Sequence, residues 1–554
     1  MRVDCRVSGQ ERLWGTLLSD ASDEMVGELG GQEMKWPVPE RYNAACDFVD
    51  RHMEEGRAHE VAILYRDEVV TYGDLYERVN RAGRLFRELG IEMEQRILLV
   101  LPDCPEFVYA FFGAIKIGAV PVPLNPRLRP DDYAYFVYDA RPKAVLVGRE
   151  LVEVFENIVA ASRFKPLRLV VKGEAPQGWL SFTDLLHQVD GTLEPADTHK
   201  DDVAFWLYSS GSTGAPKGTI HLQHDMPFCV LHYAKPILNI QPGDRTYSVA
   251  KLHFAYGLGN AMYFPLGVGA STILVPEHPT PQVILETIQR DRPTLFFSVP
   301  TAYNAVLRWE ERFRYDVSSL RLCVSAGEAL PEKLYHEWKA WTGIEILDGI
   351  GSTEALHIFI SNRPGQVRPG SSGTVVPGYE AEIRDESGRP VPTGEVGVLW
   401  IKGDSVAAGY WNKQEKTQRT FVGSWLCTGD MYVRDEEGYY WYVGRSDDMI
   451  KAGGIWVSPI EVENVLIEHP AVVECAVVAH DDGDGLVKPK AFVVLRPDIP
   501  SSESLVEELK RFVKERLASY KCPRWFVFVD ELPKTSTGKI QRFRLRQTQE
   551  GRGA

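Results

Sequence analysis

Residues 208–218 read YSSGSTGAPKG, a stretch whose residue types suit the holding of an anion. Glycines 211, 214 and 218 let a backbone approach a phosphate closely. Ser209, Ser210, Ser212 and Thr213 can donate hydroxyl hydrogen bonds, and Lys217 adds a positive charge. Pro216 stands where the phosphate loop of nucleotide hydrolases needs glycine before the lysine, so that loop type is excluded. On these residues alone, a plain glycine and serine turn is the competing reading.

The elements that must position such a loop are legible as alternating strands and helices. TYGDLYERVNRAGRLFRELG, from Thr71, puts Leu75, Val79, Ala82, Leu85, Phe86 and Leu89 on one helical face, with Gly90 as the stop. The strand ILLVL (97–101), the helix EFVYAFFGAIKIG and the strand AVPVPLN follow. Further apolar runs are VAFWLY (203–208), STILV (271–275), LFFSV (295–299), LCVS (322–325) and EILD (345–348), several of them separated by helical segments. Such alternation predicts an α/β fold with largely parallel sheets. Residues 373–444 are rich in glycine and short strands and read as a β-rich subdomain.

Beyond them, Ser458-Pro459-Ile460-Glu461 reads as a capping box opening a helix that ends before Pro470. The strands VVECAVVAH and KAFVVLR, the helix SLVEELKRFVKERL and the strand WFVFV complete a small α+β domain. The expected division is a large domain, 1–444, and a small one, 448–554, with a hinge near 445–450 inside GRSDDMIKAGG (444–454). Residues 1–42 read as an arm.

A chain of 554 residues exceeds the usual size of one core, so at least two domains are expected. The net charge of −15 disfavours nucleic acid and anionic membranes as partners. Eight scattered cysteines without a C-x-x-C pair suggest neither a zinc site nor a disulfide framework, and they suit a reducing compartment. The mixed charges of the first residues and the lack of a long apolar run point to a cytoplasmic protein with no membrane span.

YSSGSTGAPKG resembles the phosphate-binding loop of the adenylate-forming superfamily, which includes acyl-CoA synthetases, luciferases and peptide-synthetase adenylation domains. Four more signatures stand in the family's order: GIGSTE (349–354), CTGD (427–430), GRSDDMIKAGGIWVSPIEVE (444–463) and PKTSTGKIQR (533–542). RYNAACDFVDRH (41–52), KLHFAYGLGNAMYFPL (251–266) and STEALHIFISN (352–362) are similar, more narrowly, to benzoate–CoA ligases. The resemblance implies a large N-terminal domain of two α/β sheet subdomains and a β-rich subdomain, followed by a small mobile C-terminal domain. It implies a two-step reaction: a carboxylate attacks the α-phosphate of ATP and releases diphosphate, then the acyl adenylate passes its acyl group to coenzyme A. Cations and oriented amides should dominate the first step.

By the same resemblance, Lys539 contacts the carboxylate and the α-phosphate, Glu354 holds Mg2+ on the phosphates, and Thr353 contacts phosphate. Asp430 and Arg445 match ribose-binding residues. Gly327, Glu328 and Ala329 match the loop beside adenine. Asp348, Gly349, Ile350, Gly351 and Ser352 belong to the same nucleotide site, with Ile350 where the family often has an aromatic platform. Asp447 matches the hinge residue, and Gly453 and Gly454 would line a coenzyme A tunnel. Phe254, Ala255, Tyr256, Gly257, His357 and Ile358, together with Gly327, match the aryl-acid pocket. Many relatives have histidine where Phe254 stands, and His253 beside it is not its equivalent. A homodimer and a lysine acetyltransferase and deacetylase acting on Lys539 are further expected partners.

The leading expectation is an AMP-forming aryl-carboxylate–CoA ligase. The alternatives are a ligase for another small carboxylic acid, an adenylation module that loads a carrier protein, and a non-catalytic protein that kept the fold.

Overall fold

The computed structural model describes residues 38–554 except 210–214, 447, 453–454, 482–486, 535–539, 543 and 547–554. Apolar runs flanked by amphipathic helices build a first, all-parallel sheet. Its five strands lie in the order Val120–Pro123, Arg96–Val100, Ala144–Gly148, Leu167–Val171 and Leu180–Ser181. The helix Tyr72–Glu88 starts where predicted, with Thr71 and Asp74 exchanging both bonds of a capping box. It buries Leu75, Val79, Ala82, Leu85 and Phe86. Gly90, at φ 73°, turns the chain away after it. The neighbouring helix Pro105–Lys116 is buried along its whole length, and Lys116 Nζ is balanced there by Asp50, 2.6 Å away.

The second sheet has nine strands. Val61–Tyr65, Ser271–Ile273, Arg245–Ser248, Leu295–Ser298, Leu322–Ser325 and Ile346–Gly351 run parallel in that order, and antiparallel strands extend both edges. Trp338, Tyr303 and Phe296 anchor the core against one face. Parallel strands end at the same edge of a sheet, where ligands of α/β proteins usually bind. The segments 298–300, 325–330 and 348–354 all leave from that edge.

One expectation is corrected. The run VAFWLY is not a strand of a parallel sheet: Val203–Ser209 pairs antiparallel with Lys217–Leu222, which pairs antiparallel with Gly409–Tyr410. The chain returns directly through the short 210–216 segment, and parallel pairing would require a long crossover. Residues 374–445 form the expected β-rich part, chiefly an antiparallel sheet of Glu380–Arg384, Gly397–Lys402, Trp425–Arg434 and Tyr440–Arg445, with Phe421–Val422 at one side.

In the C-terminal part, Val472–Asp481, Val487–Leu495 and Trp525–Phe528 form a sheet packed by the helices Pro459–Glu468 and Glu503–Lys514. Only half of the expected capping box forms. Ser458 Oγ accepts from Glu461 N at 3.2 Å, but the Glu461 carboxylate pairs with Lys521 Nζ at 2.6 Å. A full charge competes better for that carboxylate than a neutral backbone amide. The seven described cysteines are free thiols. No helix among the described residues is long and apolar enough to cross a membrane.

Candidate functional site

Ser209 ends one strand, Lys217 opens the next, and the two are register partners, so they form a fixed stem. Ser210, Gly211, Ser212, Thr213 and Gly214 lie outside the described residues. The helix Pro130–Ala140 braces both sides of the stem: Tyr135 donates to the Pro216 carbonyl at 2.7 Å, and Tyr208 donates to Asp139 Oδ2 at 2.7 Å.

Glu354 meets this stem from the far side. Its Oε1 accepts from Ser209 Oγ at 3.0 Å and from the Tyr410 hydroxyl at 2.8 Å, with Lys217 Nζ 3.7 Å away. Lys217 Nζ also donates to the Tyr410 hydroxyl at 3.1 Å and sits 4.2 Å from the ring centroid. Burial lowers the pKa of Lys217, against the opposing pull of Glu354. Tyr410 is absent from the expectations above. The sequence hint was the glycine-tyrosine pair ending SVAAGY, but nothing local connects it to Glu354.

Thr353 and Glu354 lie on a 3-10 turn, Thr353–Ala355, capped by Ser352, whose Oγ accepts from Ala355 N at 3.2 Å. The approach to this turn is tightly packed. A side chain at Gly351 would place a Cβ 2.5 Å from the His357 carbonyl, and one at Gly349 would sit 2.8 Å from the Ile360 carbonyl. These glycines allow close strand packing. Ile350 pairs with Ile360 across the sheet and is half-buried. Asp348 is buried under the 327–330 loop, where Oδ2 accepts from Leu330 N at 3.3 Å. Burial pushes its carboxyl up to about 8, so it is a tether for the loop of Gly327, Glu328 and Ala329. Gly327 itself adopts φ 95°, a region favouring glycine, while a Cβ there would meet only Val299 at 3.7 Å.

Asp430 and Arg445 face each other across adjacent strands, with Arg445 Nη1 3.2 Å from Asp430 Oδ1 and 3.0 Å from the Thr428 carbonyl. Thr428 Oγ1 accepts from Asp430 N at 3.1 Å and donates to the Leu399 carbonyl at 2.8 Å. Arg445 thus holds one oxygen of the carboxylate while Thr428 holds the backbone beneath it, and 15% of the Asp430 side chain is exposed.

The aryl-pocket candidates converge in part. His357 and Tyr256 have ring centroids 5.6 Å apart, and Phe264 and Tyr233 lie 4.4 and 5.6 Å from His357. His357 Nε2 meets Asn260 Oδ1 at 3.1 Å, and burial lowers its pKa to about 3, so the ring is neutral at neutral pH. Tyr256 turns its hydroxyl toward the carbonyls of Ser298 and Val324, at 3.2 and 3.3 Å, which leaves ring carbon as its free surface. Ile358 is buried, with Cγ2 beside Gly349. Ala255 and Gly257 lie on the short helix Ala255–Leu258, capped by Phe254. Gly257 is required by the backbone, since a Cβ there would fall 2.2 Å from the Lys251 carbonyl. Gly259, which the sequence reading passed over, makes room for His357: a Cβ would come within 2.4 Å of the ring. The His253 ring lies tilted beside that of Phe254, with centroids 4.2 Å apart, and burial lowers its pKa to about 3.

Lys539, Asp447, Gly453 and Gly454 lie outside the described residues. Their described neighbours are well tied. Lys534 and Ile540 form an antiparallel bridge, Gln541 N donates to the Pro533 carbonyl at 2.7 Å, and Arg542 Nη2 meets Glu463 Oε2 at 2.6 Å. Asp448 pairs with Arg546 at 3.0 Å.

Residues 49–411 match the AMP-binding enzyme family, and residues 461–539 match the AMP-binding enzyme C-terminal domain. The benzoate–CoA ligase of Thauera aromatica is 48% identical over 92% of this chain and 96% of its own length. Among solved structures, the anthranilate CoA ligase AuaEII in complex with anthranoyl-AMP superposes with a TM-score of 0.89 at 44% identity, covering 93% of this chain and 98% of that one. A benzoate CoA ligase from Burkholderia xenovorans LB400 gives a TM-score of 0.85 at 47% identity, covering 91% of this chain and 100% of that one.

Proposed function

We propose a function on the premise that the chain belongs to the adenylate-forming AMP-binding enzyme family: it is an AMP-forming aryl-carboxylate–CoA ligase that takes benzoate or a close derivative. One observation carries this reading. A cluster suited to phosphate, made of Ser209, Lys217, Tyr410 and Glu354, forms on the turn that leads three residues on to His357, whose ring lies 5.6 Å from that of Tyr256. Tyr256 spends its hydroxyl on backbone carbonyls and His357 is neutral, so the walls suit a flat apolar ring.

In the first step, Lys217 and the 209–218 loop hold the phosphates, while Lys539 draws the carboxylate and the α-phosphate together. Asp430 accepts from the ribose hydroxyls, oriented by Thr428 and Arg445. The loop 327–329, tethered by Asp348, flanks the adenine with Ile350. The described residues contain no cluster of three or more His, Cys, Asp or Glu side chains able to hold a metal. Glu354, a carboxylate beside Ser209 and Lys217, would hold Mg2+ with few other protein ligands, since that ion keeps most of its water and takes further oxygens from phosphate. When bound, that ion supplies neutralising charge on the phosphates. The described contacts of the Glu354 carboxylate fall on Oε1, and Lys217 beside it would lend its charge to phosphate.

For the second step, residues 448–554 rotate on 1–444 about the 445–450 segment, with Asp447 as the pivot. Gly453 and Gly454 then leave a narrow passage for the pantetheine arm of coenzyme A. A homodimer, a cytoplasmic setting and control by acetylation of Lys539 belong to the same proposal. Sedimentation, cell fractionation, and adenylation by protein carrying acetyl-lysine at 539 are their checks. The function itself is tested by diphosphate release across benzoate, its amino-, hydroxy- and halo-derivatives, cyclic acids and fatty acids, with coenzyme A or a phosphopantetheinylated carrier as acceptor. Preference for a long-chain fatty acid, or for the carrier, overturns it.

A further inference from the structure

His221 lies on the same strand as Lys217, four residues along, and is fully buried. Its two ring nitrogens are both engaged. Nδ1 meets Asp225 Oδ2 at 2.7 Å, and Nε2 meets the carbonyl oxygen of Thr353 at 2.9 Å. The ring lies flat against Phe205, with centroids 5.0 Å apart and planes 20° apart. Asp225 is also fully buried, and its Oδ2 accepts from Leu222 N at 3.2 Å, which fixes the carboxylate that orients the ring.

The carbonyl that His221 grips belongs to the turn that carries Thr353 and Glu354. That turn is only three residues long and is followed by Leu356 at φ 66°, so hydrogen bonding within the helix contributes little to its orientation. Three consecutive carbonyls are held from outside instead. Thr353 O takes His221, Glu354 O accepts from Ala407 N at 2.8 Å, and Ala355 O accepts from Ser405 Oγ at 2.8 Å. Residues 405–407 lead directly to Tyr410, which reaches the Glu354 carboxylate. Of the three clamps, His221 is the one on the strand that also bears Lys217. The imidazole is therefore a rigid spacer between the lysine and the turn.

We infer that His221, aligned by Asp225, is a positioning residue for acyl-adenylate formation, setting Thr353 and Glu354 in register with Lys217. The inference rests on the proposed ligase function. A misplacement near 1 Å can cost on the order of 100-fold in rate when reacting groups must be aligned. His221→Phe keeps a ring against Phe205 but has no donor, whereas His221→Gln keeps a donor for the Thr353 carbonyl. Three quantities are compared with wild type: diphosphate release from ATP and benzoate, thioester formation from supplied benzoyl adenylate and coenzyme A, and the melting temperature with and without ATP.

His221→Phe should lower kcat for diphosphate release roughly 10- to 100-fold, with KM for benzoate and the thioester step near wild type. The ATP-induced rise in melting temperature should shrink. His221→Gln should recover most of the loss, and Asp225→Asn should fall between the two. Wild-type adenylation by His221→Phe overturns the inference. Equal loss of both half-reactions together with a lower melting temperature in the absence of ATP, or a Gln variant no better than Phe, does the same. Should His221→Phe fail to fold, His221→Gln against the unbranched, similar-sized His221→Met carries the comparison, with equal rates as the overturning result. Failure of the ligase reading is distinguishable, because wild-type protein then releases no diphosphate with any aryl acid.

Discussion

Tyr410 joins Lys217 and Glu354 through one hydroxyl, donating to the carboxylate at 2.8 Å and accepting from the ammonium at 3.1 Å. Tyr410→Phe keeps the ring under Lys217 and removes both bonds. Hydrogen bonds to charged groups are worth about 1.5–3 kcal/mol, so adenylation should slow by roughly 10- to 150-fold. Diphosphate release measures this, and an unchanged rate would show the hydroxyl to be idle. Lys539→Ala should be more selective. In the role proposed for Lys539 it removes a charge from the transferring phosphoryl centre, so adenylate formation should fall by about two orders of magnitude or more, while supplied adenylate still yields thioester. Equal loss in both steps would reject the role given to Lys539. In the pocket, para-substituents of the ring should collide with the far wall. Ile358→Ala should raise activity on para-substituted benzoates relative to benzoate, within the about 10- to 200-fold range of one apolar group's discrimination. An unchanged substrate ranking would remove Ile358 from the pocket.

At the scale of elements, the carboxyl ends of the parallel strands carry the loops proposed to hold the nucleotide, and Asp348 ties one of them to the sheet. Its folded-state pKa, about 8, lies above the ordinary 3.8 because of burial. The folded chain thus keeps a proton that the unfolded chain releases, and this contribution to stability is complete below about pH 3.8 and is lost as pH rises through about 8. Asp348→Asn remains neutral, so its melting temperature relative to wild type should rise across that window. A constant difference between the two proteins would mean that Asp348 is ionised in the fold. Helices such as Tyr72–Glu88 were legible because their caps and apolar faces are local. The direction of Val203–Ser209 was not, since a buried apolar run reads alike in parallel and antiparallel sheets. The same limit applied to Glu461, whose partner Lys521 is 60 residues away.

For the whole molecule, the proposed mechanism has the small C-terminal part change place relative to the large one between the two half-reactions. Proline at position 447 would hold φ near −65° and restrict Ser446 before it, so the Asp447→Pro variant should keep adenylation and lose thioester formation. Normal thioester turnover by that variant would rule out rotation at this segment. Alternation of this kind also fits a small part that is internally tight, with Arg542 bound to Glu463 and a separate core of Leu466, Val477, Val493 and Leu509.

By itself, the sequence determined the alternation of strands and helices and the kinds of residue available for phosphate, ribose and ring, because periodicity, caps and motif composition are written within a few residues of each other. Only the tertiary structure decided which of them meet. Ser209 reaches Glu354 across 145 residues, Lys217 reaches Tyr410 across 193, and His221 reaches the Thr353 carbonyl across 132. It also showed that Gly257 serves the backbone and that Gly259 makes room for His357. Such pairings depend on how separate sheets and loops close against one another, and burial then sets the charge of groups such as Asp348 and His357, a property that residue type alone does not contain.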